Sequence, residues 1–170
     1  MKRLTVLRHA KSDWGNPDLD DFDRPLNDRG RKAATRIGRE LQERELRFDL
    51  VLASPAARVR ETLDAVQDGF CFEAPVRFDQ RLYLASKEHL LSLIQDLPDT
   101  AQSTLLVGHN PGLQELVVEL EQEGGPELRR IGDNFPTAAL ATIELPVLTW
   151  RNVGAGIGQL AELMLPRDLD

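Results

Sequence analysis

Residues 3–10 read RLTVLRHA, and the character of the run Leu4–Leu7 decides the fold. A strand with one wet face alternates apolar and polar residues. Here Thr5 is the only interruption before the chain reaches Arg8 and His9. The same continuous apolar character recurs in DLVLAS (49–54) and STLLVGH (103–109). Runs of this kind belong to strands covered on both faces, which implies a parallel sheet between layers of helices. Helical spacing fills the intervals: Ala33, Ala34, Ile37 and Leu41; then Val59, Leu63 and Val66; then Leu90, Leu93, Ile94 and Leu97; and, after GHNPG, Leu113, Leu116, Val117 and Leu120. Further strands are expected at 76–79 and 138–145, with an edge-like one at 158–165. The alternation predicts one α/β domain over 1–170, three layers (α/β/α) around a mostly parallel sheet. Long irregular loops are expected only at 13–28 and 124–137.

Composition narrows the class. With 41% hydrophobic and 29% charged residues, the chain suits a soluble globular protein. No window approaches the ~20 apolar residues of a spanning helix. The start, MKRLTVLRHA, has too few apolar residues before Arg8 for a secretory core of about 7–15, so a first strand is expected there, and a cytoplasmic protein. The lone cysteine, Cys71, has no partner for an internal disulfide and reads as a buried, inert thiol. The net charge of −7 disfavours nucleic acid and acidic membranes as partners. An anionic ligand would have to be captured by a local basic pocket.

In open α/β sheets, ligands bind beyond the carboxyl ends of the strands. Three strand ends carry distinctive groups: Arg8 and His9, then Ser54-Pro55-Ala56-Ala57-Arg58, then Gly108-His109-Asn110-Pro111-Gly112. A neutral imidazole can attack phosphorus while guanidinium forks hold the phosphoryl oxygens, and nearby cations keep the imidazole unprotonated. One such histidine alone would favour a hydrogen-bonded core residue; two at parallel strand ends, both with basic or turn chemistry beside them, reverse that reading.

These residues carry a resemblance. Arg8-His9-Ala10 resembles the Arg-His-Gly signature of the histidine phosphatase (phosphoglycerate mutase-like) superfamily. DRPLNDRG (23–30), SPAARVRET (54–62) and LLVGHNPGL (105–113) resemble the SixA-type phosphohistidine phosphatases, in the correct order over about residues 1–145. The resemblance implies a phosphoglycerate mutase-like fold, with His9 as the nucleophile that takes the phosphoryl group. Arg8 and Arg58 would clamp its oxygens, and His109 would donate a hydrogen bond to them. Arg24 matches a further arginine of the pattern and would add a phosphate contact; the alternative is an exposed loop arginine paired with Asp21, Asp23 or Asp28. Ser12 and Trp14 are placed with the substrate contacts; the acidic loop 13–23, which carries Trp14 and Phe22 near the strand tip, could rim the pocket, with ordinary packing of Trp14 as the alternative.

Arg58 and Arg60 lie two apart on one helix and point about 200° apart, so only one can face the pocket; the family spacing selects Arg58 and leaves Arg60 on the surface. His89 reads as a surface residue. The three histidines lack metal-ligand spacing, so no metal or other cofactor is expected.

The pattern departs from the family in two places. Ala10 replaces the signature glycine, but its carbonyl can still accept a bond from the His9 ring and fix the tautomer. More consequentially, FDQRLYLAS (78–86) has no glutamate where ester-cleaving relatives keep a proton donor, and Asp13, Asp79 and Glu88 cannot be assigned to that role. An alkoxide leaving group needs general-acid help of about 10²–10⁴-fold. An imidazole, whose conjugate acid has a pKa of about 6.5, needs less. The expectation is therefore a phosphatase acting on a phosphohistidine-bearing protein, without a lid and of unassigned oligomeric state. A phosphomonoesterase on small phosphorylated substrates and a noncatalytic phosphate reader are the alternatives.

Overall fold

A computed structural model describes residues 1–122 and 124–169. β1 (Lys2–Arg8), β2 (Leu50–Ala53), β3 (Val76–Phe78), β4 (Ser103–Gly108), β5 (Leu140–Leu145) and β6 (Gln159–Met164) form one six-stranded sheet in the order β3-β2-β4-β1-β5-β6. The first four run parallel; β5 lies antiparallel to β1, and β6 antiparallel to β5. Five helices connect them: α1 (Asp28–Glu43), α2 (Ala57–Gly69), α3 (Lys87–Gln95), α4 (Gly112–Leu120) and α5 (Pro126–Asp133).

The continuous apolar runs do face two cores. On one side Leu7, Val51, Leu105 and Val107 pack with Ile37 and Leu41 of α1 and Val59, Leu63 and Val66 of α2. On the other, Leu4, Val6, Leu52 and Leu106 meet α3, α4 and Ile131 of α5. Thr5, the interruption in β1, is fully buried and shares a 3.1 Å hydrogen bond with Thr142 of β5, which offsets its desolvation. α1 and α2 approach so closely that a Cβ on Gly38 would sit 2.0 Å from the Val66 carbonyl oxygen.

Parallel register brings three carboxyl ends to one edge. Arg8 pairs with Gly108, and Ala53 with Val107, so His9, Ser54 and His109 each follow the last residue of adjacent strands. The start of α1 is fixed beside them: the Asn27 side chain accepts from the Gly30 amide at 2.8 Å, and a Cβ on Gly30 would lie 2.1 Å from the Lys11 carbonyl oxygen.

Two expectations require correction. The loop at 124–137 contains α5, whose only buried residue is Ile131, so it carries no apolar period to detect. The loop at 13–28 likewise holds a short 3₁₀ turn at Asp21–Asp23. Cys71 is exposed, not buried, because its neighbours Phe70 and Phe72 take the inward positions.

Candidate active site

His9 leaves β1 with its backbone held on both sides. Its N–H donates to Gly108 O (3.0 Å), and its carbonyl accepts from the Ala138 amide (3.0 Å). The ring is fixed in turn by the Ala10 carbonyl, 2.7 Å from Nδ1. A carbonyl only accepts, so Nδ1 carries the proton and Nε2 keeps its lone pair. The next amide, Ala10 N–H, donates to Thr62 Oγ1 (2.9 Å), whose hydroxyl donates to Arg58 O (2.6 Å). The nucleophile candidate and the start of α2 are thereby tied together.

His109 stands 5.4 Å from His9, centroid to centroid. Arg58 Nη2 lies 3.3 Å from its Nδ1, and Ser54 Oγ lies 2.8 Å from its Nε2. Because a guanidinium only donates, Nδ1 is an acceptor here and Nε2–H points to Ser54. The expected His109 donation to a phosphoryl oxygen therefore needs a rearrangement. Arg58 must turn to the ligand, and the Ser54 hydroxyl must donate to Nε2 while Nδ1 holds the proton.

Burial pushes the His9 pKa down to about 4, reinforced by the charges of Arg58, Arg8 and Arg24 and opposed by the Ala10 hydrogen bond. Burial and Arg58 push His109 down to about 3. Both rings are neutral at pH 7.

Arg8, Arg24, Arg58, His9 and His109 line one cavity of about 290 Å³, together with Ser12 and Trp14. Arg8 donates to Phe135 O at 3.1 Å, a carbonyl shared with Asn110 Nδ2 at 2.8 Å. Arg24 is buried, donates to Ser12 Oγ and to Asp21 Oδ1 (3.0 Å), and lies 3.4 Å from the Trp14 ring centroid. Both readings of Arg24 thus hold in part: it pairs with Asp21, yet it is no exposed loop residue. The Nε groups of Arg8, Arg24 and Arg58 are buried without a hydrogen-bond partner. Three guanidinium groups around one cavity are the chemistry of an oxyanion site.

Sequence reasoning did not single out Asp21. Its carboxylate accepts from Arg24 and Arg58 (3.0 Å each) and from the Tyr83 hydroxyl, and its carbonyl accepts from Arg58 Nη1 at 2.7 Å. Burial raises its pKa, but the bonds from Tyr83, Arg24 and Arg58 outweigh this and hold it well below the usual carboxylate range. Asp21 positions two of the three arginines. The nearest sequence signal is the possible pairing of Arg24 with Asp21, Asp23 or Asp28, which does not say which of the three acids faces inward.

Other candidates fall away from the cavity. Arg60 is exposed, bonded to Pro55 O and packed over Phe78; His89 is exposed on α3; Phe22 packs edge-on against Tyr83. Asp79 caps its own 3₁₀ turn and pairs with Arg81, Asp13 bonds the Gly15 amide, and Glu88 is exposed. No carboxylate lines the cavity among the described residues. Among the same residues no cluster suited to a metal ion occurs, and no helix is long and apolar enough to cross a membrane.

A fold with a histidine and arginine at the tip of β1 and a second histidine after β4 defines a phosphoryl-transfer enzyme of the histidine-nucleophile type, and comparison with known proteins agrees. The family model of the histidine phosphatase superfamily (branch 1) matches residues 4–83. The chain is 34% identical over 165 residues to an uncharacterized protein of Mycobacterium tuberculosis strain H37Rv, covering 95% of this chain and all of that one. Among solved structures, a candidate phosphohistidine phosphatase SixA from Agrobacterium tumefaciens is 33% identical over 97% of this chain and 98% of its own, with a TM-score of 0.81. A SixA candidate from Nakamurella multipartitia is 28% identical over 97% and 96%, with a TM-score of 0.83. The chain belongs to the histidine phosphatase superfamily, and its fold is that of the SixA-like members.

Proposed function

We propose that the chain hydrolyses phosphohistidine on a partner protein, through a phosphoryl group carried on His9. The observation that carries this reading is the absence of any carboxylate from the cavity wall among the described residues. Among the described residues the one carboxylate that touches the site, Asp21, is held ionised by its donors and has no proton to give. A leaving group that must be protonated as it departs is poorly served here.

In the first step His9 Nε2 attacks phosphorus, and the donor's P–N bond breaks. The bond pair returns to the leaving imidazole, which departs neutral because its other nitrogen already bears a proton. Arg8, Arg24 and Arg58 hold the equatorial oxygens, and His109 donates once Ser54 has supplied Nε2 with a hydrogen bond. Nδ1 of His9, bonded to the Ala10 carbonyl, keeps its proton as positive charge develops on the ring. In the second step water attacks the phosphoryl group, the pair returns to His9 Nε2, and orthophosphate leaves with the water's proton distributed between phosphate and solvent. Trp14 and Leu84, exposed at 76% and 55% on the rim, offer apolar surface to the protein that bears the phosphohistidine.

The test compares kcat/KM on a phosphohistidine peptide, an aryl phosphate and an alkyl phosphate. Without a proton donor, rates should fall steeply from aryl to alkyl ester, by about 10²-fold or more, with the phosphohistidine peptide fastest. A fast alkyl ester overturns the reading.

A further inference from the structure

We infer that the groove beside the catalytic cavity is a docking surface for an acidic face of the protein substrate, an inference that rests on the phosphohistidine reading. The groove has a volume of about 510 Å³ and is lined by Lys11, Arg29, Lys32, Arg36 and Arg167, with no acidic residue in its wall among the described residues. It adjoins the catalytic cavity, because Lys11 and Thr137 line both. Five cations around one groove stand against a net charge of −7 for the chain.

These cations are largely uncommitted. The side chains of Lys11, Arg29 and Lys32 are exposed and make no hydrogen bond or ion pair among the described residues. By contrast Arg31, on the same helix, is engaged by Asp28 and Glu61. Arg36 gives one bond to the Leu169 carbonyl at 2.7 Å, and Arg167 lies 4.0 Å from Asp168.

Their arrangement selects the occupant. Arg29, Lys32 and Arg36 stand at i, i+3 and i+7 on α1, one helical face, and span about 10 Å along it. One phosphate needs donors that converge, as the three arginines of the catalytic cavity do. Exposed cations strung along a helix suit a row of carboxylates on another protein, with Lys11 at the junction where the phosphohistidine would turn into the cavity. Complementary charge of this kind acts mainly on encounter rate and orientation.

The experiment uses the full chain and its R29E/K32E variant, which alters two exposed residues outside the catalytic cavity. Three probes are compared: phosphoimidazole, a helical phosphohistidine peptide with Glu at helical spacing around the histidine, and the same peptide with Gln in place of Glu. For wild type, kcat/KM on the Glu peptide should exceed that on the Gln peptide about tenfold at low salt, and the advantage should vanish at high salt. The variant should lose that advantage while hydrolysing phosphoimidazole within twofold of wild type. Equal rates of wild type and variant on the Glu peptide overturn the docking surface while leaving the phosphohistidine reading intact. No wild-type turnover of any phosphohistidine probe overturns both. Salt-sensitive oligonucleotide binding that the variant loses, with peptide kinetics unchanged, would assign the groove to nucleic acid and overturn the proposal.

Discussion

Acidification from pH 7 to 5 should destabilise this protein through its two site histidines while leaving both rings uncharged. The ordinary pKa of 6.5 is lowered to about 4 for His9 and about 3 for His109. In the unfolded chain both protonate as pH falls through 6.5, whereas in the folded protein neither does until about 4. The unfolded state thus binds more protons throughout that window, and stability is lost as pH falls. Each pH unit costs about 1.4 kcal/mol per histidine, so the interval from 6.5 to 5 costs about 2 kcal/mol each and about 4 kcal/mol for the pair. That is a large share of the roughly 5–15 kcal/mol that holds a domain together. With a urea m-value of about 2 kcal/mol/M, the unfolding midpoint should move down by about 2 M between pH 7 and 5. Replacing His9 with Asn should remove about half of the pH dependence. Proton NMR of the free enzyme should show the His9 and His109 ring signals unmoved between pH 8 and 5. Ring titrations with midpoints near 6.5, or a urea midpoint that does not move, refute the argument that burial and the arginines keep the nucleophile neutral.

Three substitutions probe the rest of the architecture. Arg58→Lys replaces a two-pronged donor with a point charge and should lower kcat/KM by about 10²-fold, measured on a phosphohistidine peptide, with an unchanged circular dichroism spectrum. Asp21→Asn removes the anion that fixes Arg24 and Arg58; KM should rise about tenfold with a smaller change in kcat, and an unchanged KM would deny Asp21 its positioning role. Gly38→Ala drives a methyl group into the Val66 carbonyl and should destabilise the fold by about 1–3 kcal/mol, read as a fall in Tm that a contact-free surface substitution does not produce.

β1, β2 and β4 were legible because double-sided burial leaves uninterrupted apolar runs, and each lies within a residue or two of where those runs place it. The gathering of the candidate residues was legible in part: Arg8, His9 and His109 sit at strand ends, where position follows from topology, while Arg58 was selected over Arg60 by the family resemblance. α5 was not legible, because one buried isoleucine in eight residues makes no period. Cys71 misled because a cysteine between two phenylalanines looks like core, whereas alternation turned it outward. Asp21 was hidden for a different reason. Its partners Arg58 and Tyr83 lie 37 and 62 residues away, and its local partner Arg24 could equally have paired with Asp23 or Asp28. The proton state of His109 was equally out of reach, since it depends on Arg58 and Ser54 contacting opposite sides of one ring.

The central claim is that the phosphoryl group passes through His9. Wild-type protein mixed with a phosphorus-labelled phosphohistidine peptide and quenched during turnover should carry label that is stable to base, labile to acid and located on His9, and His9→Ala should carry none. Equal labelling of His9→Ala, or release of phosphate by wild type with no labelled enzyme at any time, contradicts it.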